Sequence, residues 1–216
     1  MNNFYLKRIM SSYTLNNENL SDFEEEEDEE TRNQSEKEKG KNNKTEEIKE
    51  PNIDIINSIS EALTLILEEN KKLKNYKELI VKQSKMIFSS KSIPSISILD
   101  YLKRIQKYTQ LEKSTLIITL ILIDHICEKA HLTITYYNIH RILFGAIIIS
   151  IKFNEDTIYD NRYYAEIGGV KLNELKMIEC TFLVLSNFNV FVKSEEYEHY
   201  KNYLEGFYEM TQLENQ

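Results

Sequence analysis

The sequence is poor in the residues that build turn-rich or disulfide-linked proteins. Its 216 residues include no tryptophan, two prolines, two cysteines and five glycines. So little proline and glycine favours helices over turn-rich sheets. Cys127 and Cys180 lie in apolar helical patterns and form no cysteine framework, and the start, Met1 to Phe4, has no hydrophobic leader. A reducing compartment is therefore expected, namely the nucleus and/or the cytoplasm.

A basic excess and long apolar runs are also missing. The net charge is -8, and residues 1–52 hold 14 acidic against 8 basic side chains, so the remainder is nearly neutral. Such a balance lacks the electrostatic footprint of nucleic-acid binding. The longest apolar runs, 116–123 and 142–151, end at Asp124 and Lys152 and are shorter than the roughly 20 residues that span a bilayer. Neither nucleic acid nor a membrane is expected as a partner.

The chain before residue 89 divides into two predicted parts. Residues 1–52 are predicted to be a disordered acidic tail, either solubilising or a docking element for a partner. Residues 53–88 are predicted to form an N-terminal helix over 53–80, capped by Asn52, and a linker. Lys71, Lys72 and Lys74 form a small basic cluster there. The cluster is interpreted as solvated surface, with a nuclear-import signal as the alternative.

Residues 89–193 are predicted to hold five consecutive helices, and residues 194–216 a last helix and a tail. The second and third of the five are apolar on every side, which requires them to be surrounded by the other helices. Gly145 in the third indicates a close helix–helix approach, because glycine there costs about 1 kcal/mol relative to alanine. The fold class is therefore all-α. The predicted ranges are 97–109, 114–130, 138–154, 161–167 and 172–188, with Ser114, Asn138 and Asn173 as N-caps.

Motifs of catalysis and cofactor binding are missing from the sequence. It contains no Gly-rich phosphate loop, no Gly-x-Ser-x-Gly and no His-Glu-x-x-His. His125, Cys127 and His131 suggest a metal site, but a structural zinc needs four ligands and only Cys180 remains to complete the set. We therefore expect no enzyme activity, no cofactor, no metal and no small-molecule ligand.

Six sequence strings, in order along the chain, resemble the P/U-type cyclins, that is, the fungal phosphate-regulatory cyclins and their plant and protist relatives. The resemblance covers about residues 53–205. It implies a cyclin fold with a single five-helix cyclin box and flanking N- and C-terminal helices. The strings are IPSISILDYLKRI (93–105), LID (122–124), NIHRIL (138–143), SIKFNED (150–156), YYAEIGGV (163–170) and LNEL (172–175).

The resemblance also implies a function. The chain would be a regulatory subunit that binds a cyclin-dependent or related Ser/Thr kinase and activates it by positioning the kinase αC helix. Cell-cycle and cell-division control is the expected setting, with phosphate signalling as a second setting known for relatives. A cyclin-fold scaffold or transcription adaptor that does not activate a kinase is the alternative.

The same resemblance assigns a kinase-binding surface. Its centre is an ion pair between Lys152 and Glu179, and the alternative is a purely structural ion pair. The charges are suited to pairing, because each interrupts an apolar stretch and a partly buried charge is costly without a partner. Apolar neighbours are implied around the pair, although core packing is the plainer interpretation of each alone. These neighbours are Ile149, Phe153, Leu183, Phe188 and Val190.

A second ion pair is implied inside the bundle. Asp124 follows eight apolar residues, and the matching aspartate in cyclins pairs with a basic residue of the first box helix. Lys103 and Arg104 are candidates, and Arg104 is preferred because its guanidinium binds a carboxylate with two parallel hydrogen bonds. The chain departs from mitotic cyclins where their docking motif lies, since Pro94 to Ile98 replaces it. A mitotic substrate-recruiting patch is therefore not expected.

Overall fold

The computed structural model describes residues 52–214, with side chains described as far as Phe207, and this part of the chain consists of helices joined by turns and loops. The predicted disordered acidic tail lies outside the described residues, apart from Asn52, and so do residues 215 and 216. The eight helices are α1 (Ile53–Lys71), α2 (Tyr76–Gln83), α3 (Ile98–Thr109), α4 (Lys113–Lys129), α5 (Ile139–Asn154), α6 (Asn161–Gly168), α7 (Leu172–Leu185) and α8 (Ser194–Glu214).

The predicted all-α fold and its two central helices are confirmed. Helices α4 and α5 pack against each other more extensively than any other pair, and most of their side chains are buried on every face. Gly145 lies where α5 meets α7, and a Cβ there would stand 2.9 Å from Ile178 and 3.2 Å from Phe182. The predicted close approach at this glycine is therefore confirmed, and it brings α5 and α7 together beneath the candidate site.

The remaining helices surround this pair. Helix α1 packs on α3, α4 and α8, while α6 bridges α3 and α7. One continuous apolar core includes residues from the predicted N-terminal helix, the five box helices and the last helix. The Ser58 hydroxyl of α1 donates to the Leu204 carbonyl of α8 at 2.9 Å. The flanking helices are therefore part of the packed body.

The predicted long helix over 53–80 is wrong, because the structure divides it into α1 and α2. Helix α1 ends at Lys71, and residues 72–75 form a turn before α2 begins at Tyr76. Asn70 is 1% exposed, and its side-chain amide donates to the Ile134 carbonyl at 2.9 Å. This contact fixes the end of α1 against the loop before α5, and the lysine-rich sequence after it has few apolar groups to bury.

The predicted N-caps are also corrected. Ser114, Asn138 and Asn173 make no capping hydrogen bond, since Ser114 and Asn173 lie within their helices and the Asn138 side chain binds the preceding loop. Asn52 precedes α1 with φ 64° and uses its side chain to donate to the Leu111 carbonyl at 2.8 Å. The caps that form are made by Ser97, Asp160 and Glu174.

Helix α7 ends three residues before its predicted boundary. Asn187 has φ 54° and takes the left-handed position that follows many helix ends. The Asn187 N–H donates to the Val184 carbonyl at 3.0 Å, and the Phe188 N–H donates to the Leu183 carbonyl at 2.8 Å. This pair of bonds is a Schellman motif, and it turns the chain so that Phe188 leaves the core.

The described part of the chain shows neither a metal-binding cluster nor a membrane-spanning helix. Within residues 52–214, no three His, Cys, Asp or Glu side chains are close enough together to hold a metal ion. No helix in that range is both long and apolar enough to cross a membrane.

Candidate functional site

The structure brings Lys152 and Glu179 together. Lys152 lies in the last turn of α5 and Glu179 in the middle of α7, and the Nζ–Oε1 distance is 2.5 Å. The lysine side chain is 26% exposed and the glutamate side chain 18%. A charge at that depth remains partly desolvated, so the pair is held more firmly than a surface ion pair while still being accessible to another molecule.

A third helix contributes to this pair. The Asn161 side-chain amide, at the first position of α6, donates to Glu179 Oε2 at 3.2 Å. The Glu179 carboxylate therefore joins α5, α6 and α7. Sequence reasoning missed Asn161, because a helix predicted over 161–167 does not by itself show which part of α7 its first residue contacts. An ammonium group has three donors and a carboxylate has about four acceptor sites, so both groups retain capacity for a partner.

An apolar groove lies beside the ion pair, between α4, the end of α5 and the segment after α7. Three phenylalanines line it and are unusually exposed for such large apolar side chains: Phe153 is 63% exposed, Phe188 69% and Phe191 75%. Exposed apolar side chains that cluster in this way mark interaction surfaces. The lining residues are Ile118, Phe153, Asn154, Phe188, Asn189, Val190, Phe191 and Val192.

The residues assigned to the surface from sequence are placed at different depths. Phe153 and Phe188 project from the groove, and Val190 lines it while 9% exposed. Leu183 is half-buried against the core. Ile149 is only 1% exposed, so it supports the groove from below and has no free surface for direct contact. Phe191 and Ile118 line the groove and were missed, because no motif of the sequence pointed to either.

The predicted ion pair between Asp124 and Arg104 is wrong, since the structure gives the two side chains different surroundings. Asp124 is 4% exposed on α4 and accepts a hydrogen bond from the Tyr200 hydroxyl of α8 at 2.7 Å. Arg104 is exposed on α3 and donates to the Glu166 carbonyl at 3.1 Å. The physical reason is packing: α3 lies against α1 and α6, while Asp124 faces α8.

The Asp124–Tyr200 bond has a stable donor. Burial, together with the nearby Asp124, raises the pKa of the Tyr200 phenol far above its usual value of 10. The phenol therefore stays protonated and donates at every physiological pH. Next to this bond, His125 Nε2 lies 2.9 Å from Glu196 Oε1, which adds a second contact between α4 and α8 at this end of α4.

A second charged contact connects α5 to α7 at the other end of the site. Arg141 donates to Glu174 at 2.9 Å and to the Ile87 carbonyl at 2.9 Å, which also fastens the chain before α3. The Lys171 backbone N–H, and then the Arg141 guanidinium, hold the pKa of Glu174 below its ordinary value. Helices α5 and α7 are thus joined by ion pairs at two places, one of them beside the groove.

Comparison with known proteins connects this arrangement to one family. A family model described as "Cyclin" matches residues 4–190. The PHO85 cyclin-like protein psl1 of Schizosaccharomyces pombe is 39% identical over 125 residues, or 57% of this chain and 51% of that protein. Cyclin-U4-3 of Arabidopsis thaliana is 31% identical over 74% of this chain and 73% of its own length. PHO85 cyclin-7 of Saccharomyces cerevisiae is 30% identical over 73% of this chain and 62% of its own length. The match thus spans about half of the first relative and more of the other two.

Proposed function

Because the chain belongs to the cyclin family, within its P/U-type branch, we propose that it binds and activates a cyclin-dependent or related Ser/Thr kinase. Relatives named as PHO85 cyclins support a kinase of this type as the partner. The observation that carries the proposal is the Lys152–Glu179 pair at 2.5 Å beside a groove with three exposed phenylalanines. We also propose cell-division control as the setting and the nucleus and/or the cytoplasm as the location.

Activation on this proposal is a matter of positioning. An amphipathic kinase helix lays its apolar face into the groove, where Phe153 and Phe188 lose contact with water. The free donors of Lys152 and the free acceptor sites of Glu179 bind polar backbone groups of the kinase next to that helix. Holding the αC helix inward completes the Lys–Glu ion pair that phosphoryl transfer requires. ATP, magnesium and all bond making belong to the kinase, so the cyclin has no catalytic residue.

The test measures kinase capture and activation. Tagged full-length protein is used to capture kinases from a lysate of its source cells, and mass spectrometry identifies them. The recovered kinase is then assayed on a peptide substrate. Glu179→Ala and Lys152→Ala are each expected to lower kinase recovery by about tenfold or more, because each leaves one partly buried charge without its partner. Lys113→Ala is the matched control, since it removes a Lys–Glu pair between α4 and α8 that has a 2.7 Å separation.

A double variant separates kinase binding from a purely structural ion pair. Lys152→Met with Glu179→Leu replaces both charges by apolar groups of similar size, a change that often leaves stability unaltered. We expect this variant to melt like the wild type and still to lose the kinase. A folded double variant that keeps full kinase recovery would show that the pair is structural only. A folded wild-type protein that captures no kinase would contradict the proposal and favour a cyclin-fold scaffold.

A further inference from the structure

A basic surface lies on α2 and on the turns before and after it. It follows the C-terminal end of α1, whereas Asn52 precedes the N-terminal end of α1. Within residues 70–85 there are six lysines and one acidic residue, Glu78. Lys71 and Lys72 are engaged by Glu68 and Glu69 of α1. The other four lysines are exposed, and none forms an ion pair with any described residue. These four define the α2 lysine surface: Lys74, Lys77, Lys82 and Lys85.

Apolar side chains are exposed within the same surface. Val81 is 71% exposed and Leu73 is 37% exposed. Helix α2 is attached shallowly, since Gln83 is its one buried residue. The α2 lysine surface therefore combines four lysines, two exposed aliphatic groups and one exposed acid, Glu78. Its net positive charge and apolar groups suit an acidic segment that also carries apolar side chains.

The chain itself contains a segment of that chemistry. Residues 22–30 hold eight carboxylates, and Phe23 lies among them with Leu20 just before. We propose that residues 20–30 of the same molecule bind the α2 lysine surface, with their carboxylates against the four lysines and with Leu20 and Phe23 against Val81 and Leu73.

The connection between the two is long enough. Residues 31–51 are 21 residues, which can span at most about 70 Å. Helix α1 has 19 residues and is therefore about 28 Å long, so the acidic segment reaches the far end of α1 without strain.

Tethering makes a weak contact sufficient. Exposed ion pairs contribute little individually and are screened by salt, so the separated segment would bind the surface weakly. When a segment and its binding surface are joined in one chain, the effective concentration of the segment at that surface is about 1 mM. A segment that binds with a Kd of about 1 mM then occupies the surface of the same molecule about half of the time. The acidic segment of a second molecule would compete for the surface only at a millimolar protein concentration.

The experiment uses the full chain and zero-length carbodiimide cross-linking, which joins carboxylates to lysine amines in direct contact. An equal mixture of ¹⁵N-labelled and unlabelled protein is cross-linked at low salt and at 0.5 M NaCl, and mass spectrometry maps the products. We expect cross-links from Glu24 to Glu30 onto the α2 lysine surface within one molecule, and we expect them to weaken by about fivefold or more at high salt.

Two variants with equal charge changes make the result specific. Lys77→Glu with Lys82→Glu is expected to lower the yield of cross-links to the remaining lysines, Lys74 and Lys85, by about fivefold. Lys91→Glu with Lys107→Glu reverses two exposed lysines elsewhere and is expected to leave that yield unchanged. Circular dichroism confirms that both variants are folded.

Hydrogen exchange of residues 76–83 provides a readout that needs no cross-linking. Neutralising the segment with E24Q, E25Q, E26Q and E27Q is expected to speed exchange in α2, which has little other packing. Three results would overturn the proposal: cross-links that join labelled to unlabelled chains, cross-links spread equally over Lys91 and Lys107, or unchanged exchange in the neutralised variant. The first would assign the surface to a second copy.

Discussion

Gly168 at the end of α6 is held by packing rather than by backbone conformation. Its neighbour Gly169 takes the left-handed position, with φ 68°, and has open space around it. A Cβ on Gly168 would stand 2.2 Å from the ring of Phe144, a fully buried side chain of α5. The two glycines of the YYAEIGGV string thus serve different purposes, one for the turn and one for contact with the core.

Substituting Gly168 should therefore destabilise the fold. In Gly168→Ala the new methyl group has to displace the Phe144 ring, and overpacking of this kind costs about 1–3 kcal/mol. Urea unfolding followed by circular dichroism measures the loss. Gly206→Ala is the control, because Gly206 lies in α8 with no described atom near its Cβ and alanine is the better helix former. If the Gly168→Ala protein were as stable as the control, the Phe144 ring would be shown to move aside at no cost in stability.

His140 should make stability depend on pH. Burial lowers the pKa of this histidine below its ordinary value of 6.5, and its Nε2–H donates to the Ile96 carbonyl at 3.0 Å. Between the lowered folded pKa and 6.5 the unfolded chain binds a proton that the folded chain does not, so folding stability falls as pH decreases through that window and is unaffected above it.

The measurement compares the free energy of unfolding at pH 7.5 and pH 5.5 in the wild type and in His140→Gln. The wild type should lose more stability on acidification than the variant, because glutamine keeps a donor and does not titrate. All other titratable groups are the same in the two proteins, so the difference between them isolates His140. Equal losses in the two proteins would show that His140 does not carry the effect.

At the scale of the helix, the sequence predicted what periodicity encodes and missed what tertiary contacts decide. The two helices that are apolar on every side were predicted to be surrounded, and most side chains of α4 and α5 are buried. The break after Lys71 and the end of α7 at Leu185 were missed, since neither glycine nor proline marks them. Asn70 and Asn187 fix these ends through a distant carbonyl and a left-handed turn, and such choices depend on the folded neighbours.

The turn after α7 carries strain at a residue of the candidate site. Phe188 has φ 56°, a conformation that costs a side chain with a Cβ roughly 1–2 kcal/mol, and its ring is 69% exposed. Burial of the ring offsets little of that cost in the free protein. Strain that packing does not explain suggests a role in binding.

Phe188→Asn should therefore separate stability from kinase binding. Asparagine tolerates the left-handed conformation better, so the melting temperature should stay the same or rise. Kinase recovery should fall by about tenfold, because the exposed ring is lost from the interface. Phe191→Ala removes a second exposed ring without positive φ, so it should weaken binding with no gain in stability. A clear drop in melting temperature for Phe188→Asn would instead assign the ring to folding.

At the scale of the whole molecule, the motif strings predicted the residues of the candidate site better than they predicted the contacts that hold the helices together. Lys152 and Glu179 meet as the resemblance implied, because the strings fix the register of α5 and α7. The hydrogen bond that Asp124 accepts from Tyr200 could not be predicted in the same way. Tyr200 lies on a helix outside every quoted string and 76 residues further along the chain.

The flanking helices should be indispensable for folding. Helix α1 places several large aliphatic side chains in the core with at most 1% exposure, including Ile56, Ile59, Leu63 and Ile66. Burying each contributes about 1.5–3 kcal/mol. Together they contribute about 6–12 kcal/mol, which matches the whole stability of a typical domain. Helix α8 adds Tyr200 and Leu204, which are also fully buried.

A fragment of residues 89–193, which contains the five box helices alone, should thus fail to fold cooperatively. A fragment of residues 52–214 should keep a single sharp transition, in which circular dichroism and tyrosine fluorescence coincide on thermal unfolding. The comparison is decisive because both fragments contain Lys152, Glu179 and the whole groove. If the shorter fragment melts cooperatively, α1 and α8 are appendages and the five-helix box is an independent folding unit. If it does not, the candidate site depends on helices that contribute no lining residue to the groove, because α1 packs on α3 and α4 and α8 packs on α4.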